Sequence, residues 1–276
     1  MNFTNPNTDI LNEKKLFIFD MDGTIYLGGK PFDFAIRFIK NLRANGKKVL
    51  FFTNNASHTT PFYQKKLARL GFEPAADEVM TSGDVTYEFL NRYRSGKSIY
   101  MVATDELVEE YRAKGLNILN GEGESELRQA DIVITSFDTS LTYEKLNIAC
   151  RLIRGGAEYL STHPDFNCPT EDGFIPDSGA IAALVTASTG KVPTYFGKPY
   201  KETVEMIGEA TGFKNDEMCI FGDRLYTDIA LGKSFGVTSV LVLSGETQPA
   251  DVDEALDKDK PDFAFGSLDD VDKIMF

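Results

Sequence analysis

Histidine is scarce in this chain: only His58 and His163 occur. That excludes a histidine-rich metal centre and leaves acid–base work mainly to carboxylates. The three cysteines, Cys150, Cys168 and Cys219, are odd in number and show no Cys-x-x-Cys spacing, so the sequence carries no disulfide framework and is read as cytoplasmic, in a reducing compartment. A charged-then-apolar leader and an apolar run of spanning length are both missing, which points away from a membrane. Positive charge is also short. With 29 Lys and Arg against 42 Asp and Glu, the net charge is -13 and the pI is near 4.7. Nucleic acid and anionic membranes carry the same sign and are excluded as partners.

What is present is enough apolar residue, 42% of 276, for one substantial core and a second lobe. The first apolar run, Leu16 to Phe19, ends in Asp20 and reads as a central parallel strand buried on both faces. Ala35, Phe38, Ile39 and Leu42 then fall at helical spacing before Gly46. A second buried strand runs from Val49 to Phe52 into Thr53-Asn54-Asn55, and a helix begins near Pro61. After Gly83 the alternation restarts, with strands predicted at Ser98 to Val102, Asp131 to Thr135 and Glu158 to Ser161. Helices are expected near Leu107, from Tyr143 to Ile153 and from Ala180 to Ala187. Long buried strands resume at Tyr195-Phe196, Met218 to Phe221 and Ser239 to Leu243, with helices from Glu202 to Ala210 and Tyr226 to Ser234. The acidic stretch from Pro249 to Asp262 reads as a solvated loop or short helix. The fold class is α/β: a doubly wound, Rossmann-like parallel-sheet core formed by residues 1–83 and 191–276, with an α/β cap, residues 84–190, inserted between them.

Four polar clusters stand just past the ends of apolar strands: Asp20-Met21-Asp22-Gly23-Thr24, Thr53-Asn54-Asn55, Gly197-Lys198-Pro199, and Gly222-Asp223 with Asp228. In an open parallel sheet the carboxyl ends of the strands share one edge, so separated segments converge there. Asp20 and Asp22, at i and i+2, face one side of the chain, and Gly23 allows the turn that follows. Their repulsion, added to that of Asp223 and Asp228, calls for a hard, oxygen-liganded cation such as Mg²⁺. One aspartate can then attack a phosphate ester while the other donates and later removes a proton. Lys198 offsets phosphoryl charge, and Thr53 with the following N–H groups can hold the non-bridging oxygens.

These motifs resemble those of the haloacid dehalogenase superfamily of phosphatases: Phe19-Asp20-Met21-Asp22-Gly23-Thr24 first, Thr53-Asn54-Asn55 second, Lys198 third, and Gly222-Asp223 through Asp228 fourth. The Thr-Asn-Asn form, the Gly-Lys-Pro form and the large inserted cap are similar to the NagD-like, 4-nitrophenylphosphatase-like branch. The resemblance implies Asp20 as nucleophile and Asp22 as acid–base residue. It implies Mg²⁺ on the Asp20 carboxylate, the Asp22 main-chain carbonyl and Asp223, with Asp228 in support. Thr53 and Lys198 would bind the phosphate, helped by Asn54 and Asn55. Relatives place leaving-group contacts where this chain has Phe137, Asp138 and the loop containing Asp165, Asn167 and Cys168. Ser161-Thr162-His163-Pro164-Asp165 resembles the branch's Ala-Thr-Asn-x-Asp turn with His163 at the third position, either a simple turn residue or part of that region. Cys168 lacks a nearby basic cluster and is not read as an activated thiol. The expected substrate is a small phosphomonoester, a sugar phosphate, nucleoside monophosphate or similar metabolite, and a homodimer would suit the branch. Rival readings are a phosphomutase on the same aspartates, a phospho-aspartate signalling domain, and a silent metabolite-binding protein. Asp22 and the large insert argue against signalling, because a ready water activator shortens the life of an acyl phosphate.

Overall fold

The computed structural model describes residues 7–123, 127, 129–170 and 173–276. The chain divides into two compact units: residues 1–53, 63–80 and 198–276 form the first, and residues 54–62 and 81–197 the second.

The first unit is built on a six-stranded parallel sheet. Its order is Phe263–Phe265, Thr238–Val242, Met218–Gly222, Leu16–Phe19, Lys48–Thr53, Val79–Thr81. Leu16–Phe19 is central and buried at every position, which explains its unbroken apolar run. Its register pairs Phe19 with Phe221 on one side and Phe51 on the other. Phe221 stacks on Phe19 at 4.9 Å, and Phe38 meets Phe19 edge-on at 6.0 Å. Phe38 comes from the helix Asp33–Ala44, whose buried residues are Ala35, Phe38, Ile39 and Leu42, the stripe read from the sequence. The chain after Asp262, which gave no clear signal, completes this unit. Phe263–Phe265 adds the edge strand, and Asp272 of the helix Leu268–Met275 accepts from Arg37 Nε and Asn41 Nδ2, both at 2.8 Å.

The second unit carries its own five-stranded parallel sheet, ordered Thr194–Tyr195, Glu158–Ser161, Ile132–Thr135, Ser98–Val102, Asn117–Ile118. The helices Tyr143–Arg154 and Ser178–Thr189 cover it with Cys150, Ile153, Ile181 and Val185, packed on Tyr100, Val133 and Tyr159. A helix absent from the sequence reading, Ser82–Tyr93, starts with a reciprocal cap in which Thr81 and Asp84 satisfy each other's backbone. Asn167 and Cys168, expected in a loop, lie in the strand Asn167–Thr170, which pairs antiparallel with Gly173–Pro176.

Three stretches assigned to the core on sequence, residues 54–62, 81–83 and 191–197, lie in the second unit. Thr194–Tyr195 pairs in parallel with Glu158–Ser161 instead of joining the core sheet. Residues 54–62 are tied to the second unit by Thr59, whose N–H and hydroxyl both donate to Glu106 Oε1 at 3.0 and 2.9 Å, and by Thr104 Oγ1 donating to Ser57 O at 3.0 Å. Among the described residues no helix is long and apolar enough to cross a membrane.

Candidate active site

The carboxyl end of the strand Leu16–Phe19 delivers Asp20, and the neighbouring strand Met218–Gly222 delivers Asp223; the backbone N–H of Asp20 still donates to Phe221 O at 2.8 Å. Asp228 arrives differently. The helix predicted from Tyr226 is irregular, a π-turn over Leu225–Ile229 followed by the α-helix Ala230–Phe235, and the π-turn buries Asp228 completely. Gly222 makes this approach possible, since a Cβ there would lie 2.1 Å from the Asp228 carboxyl carbon. Gly23 has a comparable role at the first aspartate loop. Its φ of +83° suits glycine, and a side chain would come within 2.3 Å of Asp223 Oδ2.

Lys198 is the buried counter-charge. Its ammonium group is paired with Asp20 Oδ1 and lies 2.6 Å from Asp228 Oδ1. Burial pulls the Lys198 pKa down, but Asp20 and Asp228 outweigh it and hold the group above its ordinary value, so the lysine stays charged. One lysine does not balance the acids. Asp20, Asp223 and Asp228 each offer a carboxylate oxygen within 4.8 Å of the others. Burial, then Asp20 and Asp228, push the Asp223 carboxyl up, while burial and Asp20 raise Asp228 against the opposing pull of Lys198. Asp223 Oδ1 is buried without a hydrogen-bond partner, and Asp223 itself is only 2% exposed. Clustered carboxylates with a free buried oxygen are the donor set of a hard divalent cation, so these residues fit Mg²⁺. Asp22 is half-buried beside them; burial raises its pKa, Lys66 opposes the shift and Asp20 adds to it. A carboxyl group raised in this way is suited to donating a proton. Thr53 ends the strand Lys48–Thr53 at the same sheet edge.

With this geometry in view, the likeness to known proteins is informative. Residues 17–117 match the family of haloacid dehalogenase-like hydrolases, and residues 195–271 match a second, HAD-hydrolase-like family. An acid sugar phosphatase of Staphylococcus aureus is 34% identical over 242 residues, 88% of this chain and 91% of that protein. The 5'-nucleotidase YutF of Bacillus subtilis is 32% identical over 254 residues, 92% of this chain and 96% of that one. The crystal structure of a 4-nitrophenylphosphatase from Thermotoga maritima superposes with a TM-score of 0.88 at 40% identity, covering 97% of this chain and 99% of that one.

The chain belongs to the haloacid dehalogenase-like hydrolases.

The remaining candidates lie in the second unit. Asn54, Asn55, Asp165 and Cys168 come together. Asn54 Nδ2 donates to both Asp165 carboxylate oxygens at 3.2 and 3.3 Å, its carbonyl accepts from Ser82 Oγ at 2.5 Å, and Asn55 Nδ2 points at Cys168 Sγ at 3.7 Å. Asn55 also accepts from the N–H and hydroxyl of Ser57, an Asx turn. Asn167 is exposed at the start of its strand. Asp138 has partners of its own. Phe137 is buried, and the buried Asp138 carboxylate accepts from Lys145 Nζ at 2.8 Å and from the N–H and hydroxyl of Ser140 at 2.9 and 2.7 Å. These bonds tie Asp138 to the turn before the helix Tyr143–Arg154.

His163 proves to be more than a turn residue. It is fully buried, with Nε2 at 2.8 Å from Asp177 Oδ1 and Nδ1 at 3.0 Å from Thr162 Oγ1 and 3.3 Å from Ser82 Oγ. Asp177 in turn accepts from Ser178 N–H at 2.6 Å and caps the helix Ser178–Thr189. No local sequence signal links two residues so far apart. Arg224 and residues 244–247 were also missed around the aspartates. Glu246 N–H donates to Asp223 Oδ2 at 2.7 Å, and Arg224 Nε lies 3.0 Å from Glu246 Oε2. Here a signal existed: 244–247 follows the buried strand Thr238–Val242, so its placement at a strand's carboxyl end marked it as the earlier clusters were marked.

Proposed function

We propose that the protein is a Mg²⁺-dependent phosphatase of small phosphomonoesters that works through an aspartyl-phosphate on Asp20. The observation that carries this reading is the buried arrangement around Lys198: one ammonium group shared by Asp20 and Asp228, beside an Asp223 oxygen left without a partner. The family membership and the relatives' phosphatase and nucleotidase names support it.

In the first half-reaction an Asp20 carboxylate oxygen attacks phosphorus, the ester P–O bond breaks, and Asp22 gives its proton to the departing oxygen. In the second, Asp22 takes a proton from water as the water oxygen attacks phosphorus. The Asp20 O–P bond then breaks, releasing phosphate and restoring the carboxylate. Asp20, the Asp22 main-chain carbonyl and Asp223, with Asp228 behind them, would hold Mg²⁺, which when bound offsets charge on the phosphoryl oxygens and lets them approach the acidic cluster. Lys198 holds a positive charge at the Asp20 oxygen, and Thr53 with the N–H groups after it receives non-bridging oxygens. Asn54 and Asn55 help to bind the phosphate, and Phe137, Asp138, Asp165, Asn167 and Cys168 are the residues proposed to meet the leaving group. The relatives' substrates favour sugar phosphates or other small metabolite phosphates, with tolerance for several leaving groups.

The test is phosphate release from a panel comprising 4-nitrophenyl phosphate, several sugar phosphates and nucleoside monophosphates, with and without Mg²⁺, for wild type and Asp20→Asn. Metal-dependent release lost in Asp20→Asn is the expected result. Absence of release from every ester, or release unaffected by Asp20→Asn, overturns the proposal.

A further inference from the structure

We infer that residues 244–247 form a clamp that restricts Asp223 to a single ligand oxygen, and that the Glu246 side chain holds this clamp in place and so favours Mg²⁺ over Ca²⁺. The inference rests on the metal-dependent reading above and concerns only residues of the first unit.

The two oxygens of Asp223 are treated differently. Oδ2 accepts the Glu246 N–H at 2.7 Å, whereas Oδ1 is buried with no hydrogen-bond partner. Thr247 N–H adds a second tie, to the Asp223 carbonyl at 3.1 Å. Such close contact depends on Gly245, where a Cβ would sit 2.0 Å from Asp223 Oδ2. The loop is fastened at both ends. Ser244 Oγ donates to Gly23 O at 2.7 Å. The Glu246 carboxylate accepts from Tyr226 Oη at 2.8 Å through Oε1 and pairs with Arg224 Nε at 3.0 Å through Oε2. Glu246 therefore touches no ligand atom itself. It is a positioning residue whose backbone N–H occupies one lone-pair region of a proposed metal ligand, while its side chain ties that backbone to Arg224 and Tyr226, which follow the ligand closely in sequence.

The consequence for the cation follows from coordination chemistry. Mg²⁺ demands near-octahedral geometry at short distance and is served by a one-oxygen carboxylate, whereas Ca²⁺ tolerates higher coordination and readily takes both oxygens of a carboxylate. Holding Oδ2 out of reach thus favours the smaller ion, and an outer-shell partner of this kind typically changes metal affinity by about 10- to 100-fold.

The experiment is calorimetric titration of MgCl₂ and CaCl₂ into the full chain as wild type, Glu246→Ala, Glu246→Gln and Tyr226→Phe. Near-UV circular dichroism verifies the fold, and the exposed Tyr226 makes its variant a mild perturbation. Glu246→Ala should weaken Mg²⁺ binding by about tenfold and Ca²⁺ binding by clearly less. Glu246→Gln, which keeps an acceptor oxygen, should stay near wild type, and Tyr226→Phe should shift in the same direction as Glu246→Ala but less. With Mg²⁺ at saturation, the KM of Glu246→Ala for 4-nitrophenyl phosphate should be unchanged. Equal loss for both cations, or equal loss in Glu246→Ala and Glu246→Gln, overturns the clamp in favour of a plain charge effect. A wild type that binds Mg²⁺ and hydrolyses esters, with Glu246→Ala indistinguishable from it, overturns the clamp alone; a wild type that binds neither cation overturns the clamp and the phosphatase reading together.

Discussion

Removing metal should make the folded protein lose stability as pH rises through the weakly acidic range, the reverse of an ordinary acid-denaturation profile. The cause is Asp223, whose carboxyl is pushed from its ordinary 3.8 up to about 7 by burial and by the neighbouring Asp20 and Asp228. The unfolded chain releases this proton near pH 4 and the folded chain near pH 7, so between those values the folded state binds more protons and stability must fall with rising pH. A gap of about three units is worth at most ~4 kcal/mol; because the burden is shared with Asp228, about half of that, ~2 kcal/mol, is the working figure. For a chain of this size that lowers Tm by roughly 4–8 °C. His163 acts in the same direction: burial lowers its pKa but Asp177 and Asp165 raise it further, so the stability it contributes at low pH is also lost as pH rises through its folded value. Mg²⁺ separates the two, because a cation among the aspartates relieves Asp223 and leaves His163 untouched. The assay is thermal denaturation in EDTA and in excess Mg²⁺ at about pH 5, 6, 7 and 8, for wild type and Asp223→Asn. In EDTA the wild-type Tm should fall across this range, Mg²⁺ should raise it most at the alkaline end, and Asp223→Asn should show a shallower fall and little Mg²⁺ response. A metal-free Tm that stays level or climbs from pH 5 to 8, or a Mg²⁺ response no larger at pH 8 than at pH 5, would refute the reasoning.

Other expectations follow from single contacts. Lys198→Ala removes the cation shared by Asp20 and Asp228; kcat should drop by about 10²- to 10³-fold, measured by phosphate release at saturating Mg²⁺. Gly245→Ala would place a methyl group 2.0 Å from Asp223 Oδ2, so the Mg²⁺ concentration for half-maximal rate should rise by about tenfold or more. His163→Asn removes the imidazole that pairs with the buried Asp177 carboxylate, and urea denaturation at about pH 5, below the ordinary histidine pKa, should show a loss of about 3 kcal/mol.

Much of this was legible in the sequence because buried parallel strands announce themselves twice, by an unbroken apolar run and by the polar residues at its carboxyl end. Leu16 to Phe19 followed by Asp20, and Met218 to Phe221 followed by Gly222-Asp223, place two acids on one sheet edge with no further information. Lys198 was found through its Gly-Lys-Pro setting, although its bridge between Asp20 and Asp228 depends on the π-turn over Leu225–Ile229, which helical periodicity does not reveal. Tyr195-Phe196 was assigned to the wrong sheet because a short apolar run carries no record of its pairing partner; that is decided by which edge strand is free, here Glu158–Ser161. Phe137 and Asp138 were placed in the leaving-group region by analogy. Lys145, seven residues on, was the local clue that Asp138 is held by its own turn. The His163–Asp177 pair is a long-range contact between residues with no common motif, and only the folded chain brings them together.

The central claim is that Asp20 carries the phosphoryl group, and the most direct measurement is acid quenching of wild type during turnover of 4-nitrophenyl phosphate, followed by mass analysis of its peptides. The account predicts a phosphoryl adduct on the peptide bearing Asp20, removable by hydroxylamine and absent from Asp20→Asn. Steady ester hydrolysis with the phosphoryl group on another residue, or an adduct that persists in Asp20→Asn, would contradict it.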